Sequence, residues 1–136
     1  MLCKEITYTG YDDIQRTEKF YFNLTKSEIL EMNLTTPGGM GAMLTTIADK
    51  KDVPDMINNF KKIILKSYGV KSPDGRRFMK SAEISKEFEE TPAYDQLFME
   101  LATNADAANA FIQGVMPADM QEEIKKANAV QALPTV

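Results

Sequence analysis

The sequence contains no histidine, no tryptophan and a single cysteine, Cys3. Histidine is the commonest general base near neutral pH and a leading ligand of transition metals, so its absence argues against most acid–base and zinc sites. Cys3 cannot form an intramolecular disulfide, which fits a reducing compartment, and no histidine is present to activate its thiol. We therefore expect no enzymatic activity, no metal and no cofactor.

Long apolar runs are also missing. No stretch of the chain approaches the ~20 apolar residues of a membrane span. The first five residues, Met1–Glu5, carry charge where a signal peptide needs its apolar region. These two absences predict a cytoplasmic protein that does not enter a membrane.

The remaining composition is that of an ordinary globular chain. Of the 136 residues, 43% are hydrophobic and 26% are charged, with a formal net charge of −4. An acidic chain is a poor binder of phosphate backbones, so we expect no nucleic-acid partner. We predict one globular domain over residues 1–117, with a hairpin at 4–24 and helices at 26–117. Residues 118–136 are expected to form a polar helix or a loose C-terminal tail.

The N-terminal third shows a hairpin followed by a helix. β-branched and aromatic residues on both sides of the Asp12-Asp13 turn predict two strands between about Lys4 and Asn23. Thr25-Lys26-Ser27-Glu28 is a capping box, in which Thr25 and Glu28 satisfy each other's backbone N–H groups. A first helix is therefore predicted from about Lys26 to Met32.

Apolar periodicity and capping residues predict further helices along the rest of the chain. Ser72-Pro73-Asp74-Gly75 has the composition of a β-turn between two of them. The predicted fold is α+β and mostly α, with an N-terminal β-hairpin packed on a bundle of about five to six short helices. The helices after the first are expected at about Met40–Ala48, at Val53–Tyr68 before Gly69, from a Ser81 cap to Glu90, at Pro92–Ala102 after a Thr91 cap, and from Asn104 or Asp106 to a stop at Gly114.

Two motifs that could form a phosphate-binding or catalytic site have simpler explanations. The glycines at 38–41 lack the Gly-Lys-Ser/Thr sequence of a phosphate-binding loop, so they fit a flexible connection between helices. The acidic pairs Asp12-Asp13 and Glu89-Glu90 lie at a turn and at a helix end, where two carboxylates seldom converge on one substrate.

Methionines and one basic cluster are the candidates for partner binding. Seven of the nine methionines are spread over several predicted helices, and they either fill the core or form an adaptable apolar surface for a partner helix. Arg76 and Arg77 follow a turn, where they either solvate a loop or face an acidic partner. The candidate partner-binding residues are Met32, Met40, Met43, Met99, Met116, Met120, Arg76 and Arg77.

Several segments together resemble a known family. Four segments resemble small proteins of bacteriophages with long, non-contractile tails: Phe20–Glu28, Ile63–Gly69, Ser72–Phe78 and Phe98–Ala108. Those proteins are described as tail assembly chaperones or as tail-module proteins of unknown role. The resemblance covers about residues 4–117. It implies a binding protein that acts in the host cell cytoplasm, without cofactor or catalytic residues.

The resemblance also implies a partner. Such chaperones are thought to coat the long, helical, apolar tape-measure protein until tail-tube subunits polymerise around it. The expected partners are thus the tape-measure protein or other tail proteins, with self-association left open. The alternatives are a virion structural protein, either a tail-tube or a head–tail connector component, and a small enzyme or nucleotide-binding protein supported by Arg76 and Arg77 alone.

Overall fold

The computed structural model describes residues 1–35, 39 and 53–117. Within these residues the fold is α+β and largely helical, with an antiparallel pair of strands first, then five helices and two short strands, which confirms the predicted fold class. The predicted helix at Met40–Ala48 and the predicted polar helix or tail at 118–136 lie outside the described residues. In chain order the elements are β1 Leu2–Thr9, β2 Gln15–Phe22, α1 Lys26–Thr35, α2 Val53–Ser67, β3 Tyr68–Lys71, β4 Phe78–Met79, α3 Ala82–Glu89, α4 Pro92–Thr103 and α5 Ala105–Val115.

The predicted hairpin is formed by β1 and β2, which pair antiparallel along eight residues each. Its turn is closed by a hydrogen bond from the Gly10 N–H to the Ile14 carbonyl at 2.9 Å. Asp13 has a φ of 63° in this turn, and aspartate tolerates the left-handed region better than most residues. The turn predicted at Asp12-Asp13 is therefore confirmed.

Two short strands that the sequence pattern did not predict extend the hairpin into a sheet. The strand order is β1-β2-β3-β4, and Tyr68 and Gly69 of β3 lie opposite Phe22 and Tyr21 of β2. The turn that joins β3 to β4 was predicted, and Gly75 takes a φ of 74° there. Strands of four and two residues are too short to show an alternating pattern of hydrophobicity.

Two of the last three helices begin at the predicted caps, and the last one begins at Asn104, one of the two predicted starts. Ser81, Thr91 and Asn104 each accept a hydrogen bond from the backbone N–H three residues on, at 3.0, 3.3 and 3.1 Å. The predicted stop at Gly114 is incorrect, because α5 continues to Val115. A Cβ at Gly114 would lie 3.0 Å from Leu2 Cδ1, so this glycine allows β1 to approach the helix.

The core joins the sheet to the helices through aromatic rings. Phe22 is fully buried and meets Phe111 edge-on, with ring centroids 5.2 Å apart. The ring of Phe88 stacks on that of Tyr68 with a centroid distance of 4.2 Å, and it meets the ring of Phe22 edge-on with a centroid distance of 5.7 Å. Residues from β2, β3, α3 and α5 thus share one cluster, which fixes the sheet against the helices.

Candidate functional site

The helix α1 begins with the predicted capping box. The Thr25 N–H donates to Glu28 Oε1 at 2.9 Å, and the Glu28 N–H donates to Thr25 Oγ1 at 3.1 Å. Two backbone donors at the helix start are thereby satisfied, which is worth about 1 kcal/mol for such a cap. The box sets where α1 starts and how it leaves the sheet.

A distant lysine fixes the same glutamate. Lys80 Nζ lies 2.7 Å from Glu28 Oε2 and donates to the Asn23 carbonyl at 2.7 Å, while both ion-pair side chains are only 20% exposed. The Lys80 ammonium therefore joins the end of the hairpin, the start of α1 and the segment after β4.

Burial and pairing act in opposite directions on the two charges. Burial tends to raise the pKa of Glu28, but hydrogen bonds from Lys80 and Thr25 outweigh it and lower this pKa. Burial lowers the pKa of Lys80, and Glu28 offsets only part of that effect. The pair thus stabilises the carboxylate, while the ammonium still bears a cost of desolvation.

The first candidate surface is the outer face of α1. Ile29 and Met32 are buried, whereas Leu30 is 59% and Leu34 is 76% exposed. At 3.6 residues per turn, the midpoints of the two pairs lie about 150° apart around the helix axis. Both the inner and the outer face of α1 are thus apolar, and Leu30 and Leu34 stand one turn apart on the outer face.

The second candidate surface is a groove between β1 and α4. It has a volume of about 480 Å³ and opens beside Glu5, Ile6 and Thr7 of β1. Its helical side includes the buried Leu97 and Met99, which is 52% exposed. The groove therefore has an apolar part and borders the edge of the sheet.

The structure separates the predicted methionines. Met32 and Met116 are each only 3% exposed and belong to the core, so the folded protein does not offer them to a partner. Met99 lies at the β1–α4 groove. Met40, Met43 and Met120 lie outside the described residues.

The predicted arginines lie on the tight turn between β3 and β4. The Arg76 N–H donates to Asp74 Oδ1 at 3.1 Å, and the Arg77 N–H donates to Ser72 Oγ at 3.0 Å. Their side chains are exposed, and in the described part of the chain neither guanidinium forms an ion pair. The hydrogen bond from Ser72 is the main reason that the pKa of Asp74 is lowered.

Sequence reasoning missed Leu30, Leu34 and the edge of β1. A signal for the leucines was present, because apolar residues at 29, 30, 32 and 34 cover more than one helix face. No sequence signal identified the free edge, since strand order depends on tertiary structure.

The described residues contain neither a candidate metal site nor a candidate membrane-spanning helix. No group of three or more acidic or cysteine side chains there could hold a metal ion. Over the same residues, no helix combines the length and the apolar character needed to cross a bilayer.

Comparison with known proteins identifies a family. A family model described as phage tail assembly chaperone matches residues 1–136. No curated protein and no solved structure matches the chain.

Proposed function

We propose, because the chain belongs to the phage tail assembly chaperone family, that it binds the tape-measure protein and keeps it soluble while the tail assembles. The family match over the whole chain carries this proposal. The tape-measure protein is the proposed client because the family resemblance implies a client protein with a long apolar helix. We further propose that the chain acts in the host cytoplasm and by binding alone, without catalysis.

The outer face of α1 is the surface best suited to such a client. Leu30 and Leu34 present adjacent apolar side chains at i and i+4, the spacing at which one helix packs against another. Exposed leucines lower the solubility of a monomeric protein, so such a patch on a small protein often marks a binding surface. A client helix laid along α1 would cover both side chains.

The contacts on the inner face of α1 support the same assignment. Its inner face is anchored by Ile29 and Met32, and its first turn is held by Glu28 and Lys80. A helix fixed on one side presents the other side with little loss of conformational entropy on binding. The two leucines alone offer a small contact area, which suits a client that must later be released.

Co-expression with the tape-measure protein tests the proposal. The wild-type chain should raise the soluble fraction of the tape-measure protein, and Leu30→Gln with Leu34→Gln should remove most of that effect. Glutamine is a good helix former, so α1 itself should persist. The matched control is Tyr11→Gln with Ile14→Gln, which replaces two exposed apolar residues at the hairpin tip that are 87% and 54% exposed.

The outcomes separate the candidate functions. Equal solubility of the tape-measure protein with and without this chain would exclude the proposed client. Loss of activity in both double variants alike would show that general surface hydrophobicity, and not α1, is responsible. Mass spectrometry of purified virions distinguishes the alternative, because a tail-tube or head–tail connector component stays in the finished particle and a chaperone does not.

A further inference from the structure

The outer edge of β1 carries backbone groups without partners in the described part of the chain. The Gly10–Ile14 hydrogen bond shows which β1 residues face β2, since bonding alternates along an antiparallel pair. The backbone N–H and C=O groups of the even-numbered β1 residues point toward β2. The N–H and C=O groups of Cys3, Glu5 and Thr7 therefore point away from the sheet, and β1 is its edge strand.

The groove lies along this edge. Glu5 and Thr7, whose backbone groups point outward, line it together with Leu97 and Met99 of α4. An extended chain placed beside β1 would thus reach both the unpaired backbone groups and the half-exposed side chain of Met99. A partner strand added to a sheet edge takes its affinity from main-chain hydrogen bonds and its specificity from such side-chain contacts.

The charge of the groove is negative. Glu5, Asp95 and Glu100 line it, and Lys4 pairs with Glu100 at 3.4 Å. Neither Glu5 nor Asp95 forms an ion pair with the residues that the structure describes. A lysine or arginine on the incoming strand would compensate these carboxylates.

We propose that the edge of β1 binds an extended, basic segment of a partner protein as an added strand, with an apolar side chain against the half-exposed Met99. This surface contains no residue of α1. The inference is therefore independent of the tape-measure assignment, and either one can fail without the other.

A second copy of this chain is a poorer occupant. Symmetric pairing of two β1 edges would bring the acidic residues of both grooves, Glu5, Asp95 and Glu100, to the same junction. The net charge of −4 on each copy adds to the repulsion. A basic heterologous strand avoids both costs.

The test uses the full chain and a synthetic octapeptide of alternating lysine and valine, with a glutamate–valine octapeptide as the charge control. Amide hydrogen exchange measured by NMR should show new protection at Cys3, Glu5 and Thr7 when the lysine peptide binds. The even-numbered β1 amides are already bonded to β2 and should change little. The glutamate peptide should bind at least about tenfold more weakly.

A pair of proline variants locates the binding edge. Thr7→Pro removes an outward N–H, so the lysine peptide should bind about tenfold more weakly. Thr17→Pro is the matched control: Thr17 pairs with Thr7, and their hydroxyls are 2.8 Å apart, so both variants lose that contact. The Thr17 N–H points toward the β3 side of the sheet, in a part of β2 that does not pair with β3. The affinity of the Thr17→Pro variant for the lysine peptide should therefore change less than about twofold.

Charge variants keep the test decisive if a proline variant does not fold. Glu5→Lys with Asp95→Lys should abolish binding of the lysine peptide, whereas Glu83→Lys with Glu90→Lys on or next to α3, with the same change in net charge, should not. Equal effects of the two prolines or of the two charge pairs would overturn the proposal, as would absence of peptide binding at about 1 mM. Protection of the same amides that rises with protein concentration before peptide is added would assign the edge to a second copy instead.

Discussion

The substitution Glu28→Gln isolates the charge that holds α1 in place. Glutamine keeps the length of the side chain and can still accept the Thr25 N–H, so the capping box is conserved. What disappears is the carboxylate facing Lys80 at 2.7 Å. The substitution therefore tests the ion pair and not the cap.

The expected magnitude follows from the partial burial of the pair. Exposed ion pairs contribute about 0–1 kcal/mol, and breaking a fully buried pair costs about 3–5 kcal/mol. With both side chains 20% exposed, the cost of Glu28→Gln should lie between these limits, at about 2 kcal/mol. Lys80→Met should cost less, about 1 kcal/mol, because Glu28 keeps the Thr25 N–H and the lysine no longer pays for desolvation.

Urea unfolding of the wild type, both single variants and the double variant gives the coupling between the two residues. We expect the double variant to be more stable than the sum of the single losses implies, by about 1–2 kcal/mol. Additive losses would show that the charges do not interact, and would refute the account of how α1 is anchored.

The pH dependence provides a second, independent check. The pKa of Glu28 is lowered in the folded state, so its contribution is present above its ordinary value of 4.5 and is lost as the pH falls through the folded pKa. The difference in unfolding free energy between wild type and Glu28→Gln should therefore shrink between pH 7 and pH 3. The pKa of Lys80 is lowered too, so near pH 10 the unfolded state binds more protons and stability rises with pH. Without the carboxylate this rise should begin at lower pH, and identical profiles for the two proteins would contradict the reasoning.

Four further predictions concern three variants in other parts of the molecule. Burying Leu30 and Leu34, 59% and 76% exposed, on a client should contribute about 2–3 kcal/mol, so Leu30→Gln with Leu34→Gln should weaken client binding about 100-fold by calorimetry. The same variant should unfold within about 0.5 kcal/mol of the wild type, and a larger loss would mean that these leucines are covered in the free protein. Gly69→Ala would place a Cβ 2.6 Å from the Phe78 ring and should cost about 1–3 kcal/mol in urea unfolding; no loss would show that the ring moves freely. The Asp12 carboxylate has a pKa lowered to about 2 by the neighbouring guanidinium, so Asp12→Asn should flatten the loss of stability between pH 4 and pH 2, and an unchanged slope would refute the pairing.

Short-range features of the fold could be predicted from the sequence. The Asp12-Asp13 turn, the Thr25–Glu28 box and the Ser81, Thr91 and Asn104 caps each depend on residues within a few positions of one another. Local backbone chemistry decides such features, so they survive in any tertiary context that permits the element.

Features that join distant segments could not be predicted. Lys80 lies 52 residues from Glu28, and nothing in either neighbourhood indicates the pairing. The strand β3 forms because its backbone meets the end of β2, where the Asn23 N–H donates to the Ser67 carbonyl at 2.8 Å. Sheet extension of this kind is set by where α2 delivers the chain, not by the composition of the strand.

The methionine hypothesis shows why the candidate surface was harder to predict than the fold. Residue type gives the free energy of burying a side chain, but the rotation of the helix decides which side chains are buried. In α1 both faces are apolar, so hydrophobicity distinguishes poorly between burying Ile29 with Met32 and burying Leu30 with Leu34. The pairing of Glu28 with Lys80 supplies the missing preference, because only one rotation of α1 brings that carboxylate to the ammonium. The charge that stabilises the helix start thus also favours the rotation that leaves the leucines on the exposed face.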